Sequence, residues 1–203
     1  MKIICIGRNY IDHAAEMNNP IPERPVFFMK PETALVAKHL PFFYPDFSED
    51  VHYELELVLR ICKVGKNIQE KFANTYYDQI GLGIDFTARD LQRKCSTEGL
   101  PWEMCKSFDG SAPVGTFIPK EDLGDLNDLN FHLDLNGKTV QTGNSGKMIF
   151  SFDKLISYVS GFVTLKIGDY LFTGTPAGVG PVKKDDLLQA WLGEKKLLEI
   201  EVK

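Results

Sequence analysis

Hydrophobic and polar residues alternate along several short segments of the chain, and alternation with a period of two is typical of β-strands. In residues 53–59 the apolar side chains would lie on one face of a strand, whereas Glu54 and Glu56 would project together from the other face. Residues 129–135 alternate in the same way, reach an Asn-Gly pair and return through residues 138–141. An Asn-Gly pair between alternating segments predicts a β-hairpin.

The remaining hydrophobic segments predict further strands and a few short helices. Strands are predicted at residues 2–6, 26–29, 53–64, 80–87 and 170–173, and in a closing hairpin of residues 187–191 and 196–202. Helices are predicted at residues 11–17, at residues 68–76 with Asn67 as the N-cap, from Thr87 to about residue 94, and at residues 153–161. Because strands outnumber helices and the helices are short, the sequence predicts a β-rich α+β fold, a rolled sandwich in a single domain over residues 1–203.

The two glutamates in residues 53–59 are the first candidates for chemistry. Their Cα atoms would lie about 7 Å apart, and two ionised carboxylates on one strand face repel when neither has a cation. A divalent metal ion would relieve the repulsion, because hard cations take oxygen ligands and supply positive charge. The alternative is the solvated outer face of an ordinary strand. The metal hypothesis therefore depends on what other residues the chain offers.

A histidine and a glutamate near the amino terminus are candidates for proton transfer. His13 and Glu16 are three residues apart and would face the same way on a helix. A carboxylate beside an imidazole fixes its tautomer and raises its basicity, which suits a general base. The alternative is a surface pair near a helix end. Residues 18–25 contain three prolines and predict a loop, so the His13 segment could move as a lid.

Other polar residues stand in segments that favour a binding site. Lys106 lies among apolar and aromatic neighbours, where partial burial would lower its pKa, although a lysine with its charged end in solvent is the common alternative. Asp85 ends a strand interrupted by glycines, which often mark the close approach of a ligand or another backbone. Arg89 and Gln92 share one face of the next helix. The loop of residues 174–181 is rich in Gly and Pro, and its free amides could receive an anion.

Composition and charge exclude several classes of function. The chain has 203 residues, 43% hydrophobic and 25% charged, with a net charge of −5, which argues against a nucleic-acid-binding surface. No apolar run is long enough to span a membrane, and the amino-terminal run is too short for a signal peptide. The four cysteines form no close pair, so we expect reduced thiols in a cytoplasmic protein, with neither a zinc knuckle nor a redox motif.

Several sequence blocks are specific when they are taken together. They are Tyr53-Glu54-Leu55-Glu56, residues 83–92, residues 101–109, residues 174–181, and Gly7-Arg8-Asn9-Tyr10 followed by His13-x-x-Glu16. With these blocks the sequence resembles the fumarylacetoacetate hydrolase family over essentially the whole chain, and it looks most like the acylpyruvate hydrolase and oxaloacetate decarboxylase subgroup. Residues 144–147 and Asp185-Asp186 depart from the usual pattern, and because they lie outside the proposed site they bear on the subgroup rather than on the chemistry.

The resemblance implies a fold, an assembly and a set of site residues. The fold would be a mixed β-sandwich roll with short helices, usually assembled as a homodimer. Magnesium or manganese would be bound by Glu54, Glu56 and Asp85. Substrate would be contacted by Arg89, Gln92, Lys106 and Thr175. The water-activating pair of the family falls on His13 and Glu16, carried by a segment that orders over the bound substrate.

The same resemblance implies an activity on small 2-oxo acids. A metal ion would hold the 2-oxo acid while His13, supported by Glu16, deprotonates a water that cleaves a 3-acylpyruvate to pyruvate and a carboxylate, with Lys106 steadying the oxyanion. Decarboxylation of oxaloacetate needs only part of this machinery, so one site could serve both reactions. One alternative is an isomerase or decarboxylase of 2-hydroxyhepta-2,4-diene-1,7-dioate type. Another is a non-catalytic β-domain that binds a small acid or a partner protein.

Overall fold

The computed structural model describes residues 1–16, 20–37 and 39–203, which form thirteen strands and five α-helices. The strands are β1 (Ile3–Gly7), β2 (Val26–Lys30), β3 (Val51–Tyr53), β4 (Leu55–Ile61), β5 (Tyr77–Ile84), β6 (Thr87–Ala88), β7 (Ile118–Pro119), β8 (Asn130–Leu135), β9 (Lys138–Asn144), β10 (Tyr170–Phe172), β11 (Gly180–Pro181), β12 (Leu187–Leu192) and β13 (Lys195–Glu201). The helices are α1 (Ile11–Glu16), α2 (Glu70–Ala73), α3 (Arg89–Glu98), α4 (Glu103–Lys106) and α5 (Phe152–Phe162). None of these described helices combines the length and the hydrophobicity that a transmembrane span requires.

The strands form three sheets around the central pair β4 and β5. The six-stranded sheet has the order β2-β1-β10-β4-β5-β7, in which β1 and β10 run parallel and all other neighbours antiparallel. The other two sheets have the orders β11-β3-β6 and β13-β12-β8-β9. In the central pair, Leu55 lies opposite Ile84 and Glu56 opposite Gly83. This antiparallel register places the start of β4 beside the end of β5, so Glu54 and Asp85 become neighbours.

The alternating segment is not one strand as predicted, because Tyr53 ends β3 and only the part from Leu55 lies in β4. Strand β4 has two different faces, as predicted, but both faces are buried. Leu55 and Leu57 belong to the main hydrophobic core, whereas Val58 packs on the opposite side against Phe172. Glu56 is only 1% exposed. The interpretation of the two glutamates as a solvated outer face is therefore excluded.

The hairpin predicted from the Asn-Gly pair is confirmed. Strands β8 and β9 pair in antiparallel register from Asn130 opposite Asn144 to Leu135 opposite Lys138. The two turn residues, Asn136 and Gly137, have φ of 52° and 77°. Positive φ at both positions is what a two-residue turn matching the strand twist requires, and Asn and Gly tolerate it best.

The helix predicted at residues 68–76 is much shorter in the structure. Only Glu70–Ala73 is helical. Asn67 has φ of 52°, and its amide donates to the Ser160 carbonyl, so it is not the predicted N-cap. Contacts of the Asn67 and Ile68 amides with Ser160 of α5 hold these residues outside the helix, which begins only after the extended Gln69.

Two other predicted boundaries are also wrong. The strand containing Glu56 ends at Ile61 rather than near residue 64. Thr87 does not cap a helix, because it lies in β6 and pairs with His52 of β3, and α3 begins at Arg89 with Ala88 as its N-cap. The prediction that the His13 segment moves as a lid depends on the loop of residues 18–25, of which residues 18 and 19 lie outside the described residues, so it stays a prediction.

Glycine interrupts β5 because of packing inside the sheet, not because a ligand approaches it. A Cβ at Gly83 would lie 2.6 Å from the ring of Phe172 and 2.9 Å from Val58. A Cβ at Gly81 would lie 3.0 Å from the ring of Phe117. The close neighbours are mainly side chains of adjacent strands and loops, rather than the ligand or the second backbone that the sequence analysis expected.

Candidate active site

A cavity of about 670 Å³ opens beside the central strand pair. Its wall contains every site residue predicted from the sequence: His13, Glu16, Glu54, Glu56, Asp85, Arg89, Gln92, Lys106 and Thr175. The β4–β5 pair supplies the carboxylates, α1 supplies the histidine, and α3 and α4 supply the cations. The fold thus brings into one cavity residues that are scattered over most of the chain.

Three buried carboxylates converge at the inner end of the cavity, and we call Glu54, Glu56 and Asp85 the acidic triad. One oxygen of each lies within 4.8 Å of an oxygen of both others. The three residues are 5%, 1% and 1% exposed. Glu54 lies between β3 and β4, Glu56 within β4, and Asp85 directly after β5. Strand pairing, rather than proximity in sequence, therefore assembles the triad.

Two of the three carboxylates are paired with buried cations. Glu54 accepts from Arg89 Nη2 at 2.7 Å through one oxygen and from Lys106 Nζ at 2.8 Å through the other. Asp85 Oδ2 accepts from Lys106 at 2.8 Å, and Asp85 Oδ1 lies 2.7 Å from Lys30 Nζ. Although burial favours the neutral acid, Lys106, then Arg89 and His13, hold the pKa of Glu54 well below its usual value. The premise that neither strand glutamate has a cation is therefore wrong for Glu54.

Glu56 is the exception in the triad. Its Oε2 accepts from the Gly174 amide at 2.6 Å, and among the described residues no lysine or arginine forms an ion pair with it. Burial raises the pKa of Glu56 well above its usual value, and the charges of Asp85 and Glu54 raise it further against the Gly174 hydrogen bond. Glu56 is therefore the triad carboxylate that lacks a cation.

The residues of the triad fit a hard divalent cation. All three offer carboxylate oxygens, the ligand type that Mg²⁺ and Mn²⁺ prefer. Asp85 Oδ1 is buried and accepts no hydrogen bond from the described residues, and Glu56 is a buried carboxylate without a cation. An ion between these oxygens would give Glu56 the cation that it lacks and would share Asp85 Oδ1 with Lys30.

The ammonium group of Lys106 donates all its hydrogen bonds to the triad and to a neighbouring hydroxyl. Besides Glu54 and Asp85, its Nζ donates to Thr87 Oγ1 at 2.6 Å, which uses all three ammonium protons. Burial opposes the charged form, but Asp85 and Glu54 outweigh it and raise the pKa of Lys106 above its ordinary value. The prediction that burial lowers this pKa is wrong, because the sequence did not show the two carboxylates beside it. A contact with a substrate oxyanion would require Lys106 to release one of its three acceptors.

His13 and Glu16 form a hydrogen-bonded dyad on α1, and His13 is almost completely buried. His13 Nδ1 lies 3.1 Å from Glu16 Oε2, and the Gly178 amide donates to the same carboxylate at 3.1 Å and 3.3 Å. Because a carboxylate can only accept, Nδ1 carries the proton and Nε2 is left as the basic nitrogen. Gly178 has φ of 100°, which glycine adopts without strain.

The Gly- and Pro-rich loop does receive anions, and they are carboxylates of this chain. Gly174 binds Glu56 of the triad, and Gly178 binds Glu16 of the dyad. Between them, Thr175 Oγ1 donates to the Leu55 carbonyl at 2.8 Å and accepts from Gln141 Nε2 at 2.7 Å. The loop therefore fixes the position of the triad relative to the dyad.

Arg89 and Gln92 lie together at the start of α3, as their spacing predicts. Gln92 Oε1 accepts from Arg89 Nη1 at 2.6 Å, while Nη2 holds Glu54. Arg89 Nε is buried and has no partner among the described residues. The guanidinium thus links the substrate side of the cavity to the triad.

Two residues beside the site were missed by sequence reasoning. Lys30 ends β2, and its ammonium lies against Asp85 and donates to both oxygens of Ser111 at 2.9 Å and 3.0 Å. Gln141 of β9 donates to Thr175 and accepts from the Leu55 amide at 3.0 Å. The only signal for Lys30 was a charge at the end of an apolar strand. Gln141 gave none, because its partners come from other sheets and loops.

Comparison with known proteins gives a consistent result over nearly the whole chain. The family model described as fumarylacetoacetate (FAA) hydrolase C-terminal matches residues 2–203. The mitochondrial oxaloacetate tautomerase FAHD1 of Bos taurus is 45% identical over 188 residues, covering 93% of this chain and 85% of that protein. The mitochondrial oxaloacetate decarboxylase of Dictyostelium discoideum is 40% identical over 189 residues, covering 93% of this chain and 87% of that protein.

A solved structure has the same fold. Fumarylpyruvate hydrolase from Pseudomonas aeruginosa, in complex with Mn²⁺ and pyruvate, superimposes with a TM-score of 0.93 at 36% sequence identity. The match covers 100% of this chain and 89% of that chain. The predicted β-rich α+β architecture is thereby confirmed.

Proposed function

The chain belongs to the fumarylacetoacetate hydrolase family, and we propose that it is a metal-dependent hydrolase that cleaves 3-acylpyruvates to pyruvate and a carboxylate. One observation carries the proposal: the acidic triad and the His13–Glu16 dyad line the same cavity. A triad alone suits binding of a 2-oxo acid. A histidine held as a base beside it adds the means to activate water.

Glu54, Glu56 and Asp85 would hold Mg²⁺ or Mn²⁺. Bound there, the ion would act as a Lewis acid toward the carboxylate and 2-oxo oxygens of the substrate. The related hydrolase of Pseudomonas aeruginosa is described with Mn²⁺ and pyruvate, which supports this assignment.

The dyad of this chain would perform the proton transfers. Nε2 of His13 takes a proton from water, and the water oxygen bonds to the acyl carbonyl carbon. Glu16 keeps the proton of Nδ1 in place and stabilises the imidazolium, while Gly178 holds Glu16. When the C–C bond breaks, its electron pair stays on the pyruvate fragment, which takes up a proton to give pyruvate. The acyl half leaves as a carboxylate.

The other predicted residues would position the substrate. Arg89 and Gln92 present a paired guanidinium and amide to the cavity, and Thr175 lines it from the opposite loop. Lys106 would donate to the oxyanion of the attacked carbonyl by releasing Thr87, its one uncharged acceptor. In the resting enzyme the same lysine bridges Glu54 and Asp85 through hydrogen bonds of 2.8 Å to each.

A second candidate function is the tautomerisation or decarboxylation of oxaloacetate. The names of the relatives from Bos taurus and Dictyostelium discoideum support it. His13 could move a proton to and from the carbon next to the 2-oxo group without any water attack. Both activities use the same 2-oxo acid end of the cavity, so one protein could have both.

A substrate panel tests the proposal. Loss of ultraviolet absorbance is followed for several acylpyruvates, with oxaloacetate run in parallel and Mg²⁺ supplied. We expect hydrolysis by the wild type, no turnover by Glu56→Ala, and a loss of about 10²–10⁴-fold in hydrolysis by His13→Ala with a smaller loss on oxaloacetate. His132→Ala, on β8 outside the cavity, is the control and should match the wild type.

Two outcomes would count against it. If no acylpyruvate is consumed while oxaloacetate is, the second candidate function replaces the first. If His13→Ala loses both activities equally, the separate water-activating role of the dyad is wrong.

Assembly and location complete the proposal. A homodimer is expected from the family, and light scattering after size-exclusion chromatography at micromolar concentration would measure it. A cytoplasmic location is proposed because all four cysteines are free thiols, and cell fractionation would test it. A monomeric mass or a membrane- or organelle-bound fraction would correct these two points without changing the proposed chemistry.

A further inference from the structure

One face of α3 forms the cavity wall from the acidic triad outward. Arg89, Gln92, Arg93, Ser96 and Thr97 all line the cavity. They form two rows, 89–92–96 and 89–93–97, whose steps are three or four residues, which places all five on one side of a helix. Arg89 begins the helix, is buried and holds Glu54, Gln92 is half-buried, and the later members of the series are exposed. The helix therefore leads from the triad toward the mouth of the cavity.

Arg93 is the cation one turn farther out along this wall. It follows Arg89 by four residues, so its Cα lies about 6 Å farther along the helix axis. The hydroxyls of Ser96 and Thr97 follow another turn beyond. A substrate held at the triad by its 2-oxo acid end would extend along this face, between α3 and the ring of Trp102.

The charge of Arg93 is available, unlike that of the inner cations. Arg89 and Lys106 are buried and bound to triad carboxylates. Among the residues that the structure describes, Arg93 forms an ion pair only with Asp50, at 2.9 Å, and the two side chains are 63% and 30% exposed. An exposed pair of this kind contributes little to stability, so the guanidinium can turn to another carboxylate at small cost.

The cavity is larger than a pyruvate fragment requires. Its volume of about 670 Å³ is in the range of pockets that enclose much larger ligands. The inner end is acidic and suits a cation, and the outer end has an accessible guanidinium and two hydroxyls. Guanidinium groups bind carboxylates through two parallel hydrogen bonds.

We propose that Arg93 forms a second binding site, for a carboxylate at the far end of the acyl chain, and that the enzyme therefore prefers acylpyruvates that end in a carboxylate to those with a neutral chain. The inference rests on the proposed function, because it places the 2-oxo acid end at the triad. It goes further by naming the class of acyl group and the residue that selects it.

The test compares two charge-removing substitutions on the same helix. Arg93→Gln removes the proposed contact. Lys94→Gln removes the same charge from the next position, which is exposed and does not line the cavity. For each protein, kcat/KM is measured for acetylpyruvate, which has a neutral acyl group, and for succinylpyruvate, which ends in a carboxylate.

We expect Arg93→Gln to lower the ratio of succinylpyruvate to acetylpyruvate kcat/KM about tenfold, mainly through KM for succinylpyruvate, and Lys94→Gln to keep the wild-type ratio. The proposal is overturned if Arg93→Gln keeps the wild-type ratio, or if both substitutions lower it equally, since the effect would then be one of overall charge.

A binding measurement separates failure of this site from failure of the proposed function. Calorimetry with Mg²⁺ present compares pyruvate with 2-oxoadipate, an unreactive 2-oxo acid with a distant carboxylate. A selective loss of 2-oxoadipate affinity in Arg93→Gln supports the site even if the wild type hydrolyses neither acylpyruvate. Equal Kd changes for both acids, in an enzyme that does hydrolyse acetylpyruvate, would remove the site and leave the proposed function intact.

Discussion

Lys30 is the residue whose replacement should reveal most about the energetics of the site. Its ammonium is completely buried, lies 2.7 Å from Asp85 Oδ1, and donates to Ser111 and to the Lys106 carbonyl. Lys30→Met keeps the length of the side chain and removes the charge. Of the described cations, Lys106 alone would then remain as a counter-charge to Asp85, which faces Glu54 and Glu56.

The size of the effect follows from the burial of both partners. Removing one partner of a buried ion pair costs about 3–5 kcal/mol, because the other charge is left uncompensated. At roughly 2–4 °C per kcal/mol for a chain of this length, the melting temperature should fall by about 6–20 °C. Urea unfolding, followed by tryptophan fluorescence in a chelator, gives the free energy of unfolding directly.

Lys196→Met is the matched control. The pair of Lys196 and Glu199 is equally direct but lies on the surface, with side chains 39% and 49% exposed, so we expect a loss of about 0–1 kcal/mol. If Lys30→Met costs no more than this control, the conclusion that buried cations hold the triad together is refuted. Saturating Mg²⁺ should restore part of the stability of Lys30→Met, since an ion at the triad also compensates Asp85.

Three further substitutions test other parts of the site. Glu56→Gln removes the buried carboxylate that lacks a cation. Calorimetry should therefore show a higher melting temperature in a chelator and a much smaller rise in melting temperature on adding Mg²⁺. A rise as large as that of the wild type would contradict the triad as the metal site. Gly83→Ala places a Cβ 2.6 Å from the Phe172 ring, and urea unfolding should show a loss of about 1–3 kcal/mol, whereas a neutral result would mean that the sheet relaxes freely. Gly178→Ala strains a backbone with φ of 100° whose amide holds Glu16, so kcat should fall with little change in KM. An unchanged kcat would mean that the loop does not position the dyad.

Local patterns in the sequence were sufficient where neighbours in the chain decide the structure. The β8–β9 hairpin depends on the Asn-Gly turn between two alternating segments, and the dyad depends on two residues three apart on one helix. The helix prediction for residues 68–76 failed because contacts distant in the sequence decide the structure there. There the apolar spacing favoured a helix, but contacts with Ser160 hold Asn67 and Ile68 in another conformation.

The electrostatic state of the site could not be predicted in this way. Whether a buried carboxylate is neutral or ionised depends on which cations reach it, and these come from other strands and helices. Lys30 reaches Asp85 because β2 lies against β1 in the six-stranded sheet, and no local pattern shows that pairing. The pKa of Lys106 was predicted in the wrong direction for the same reason.

The charges of the assembled site explain why one glutamate matters more than the sequence suggested. Two symmetric, unpaired strand carboxylates were expected to need a metal ion equally. In the structure three buried cations accompany three buried carboxylates, yet they cluster on Glu54 and Asp85 and leave Glu56 with a backbone amide. The lysines and the arginine hold Glu54 and Asp85 in place even when no metal ion is bound. The oxygens of Glu56, which has no cation of its own, are then positioned to bind one. A metal ion would therefore bind to a site already built, at the oxygens of the one triad carboxylate that no described lysine or arginine pairs with.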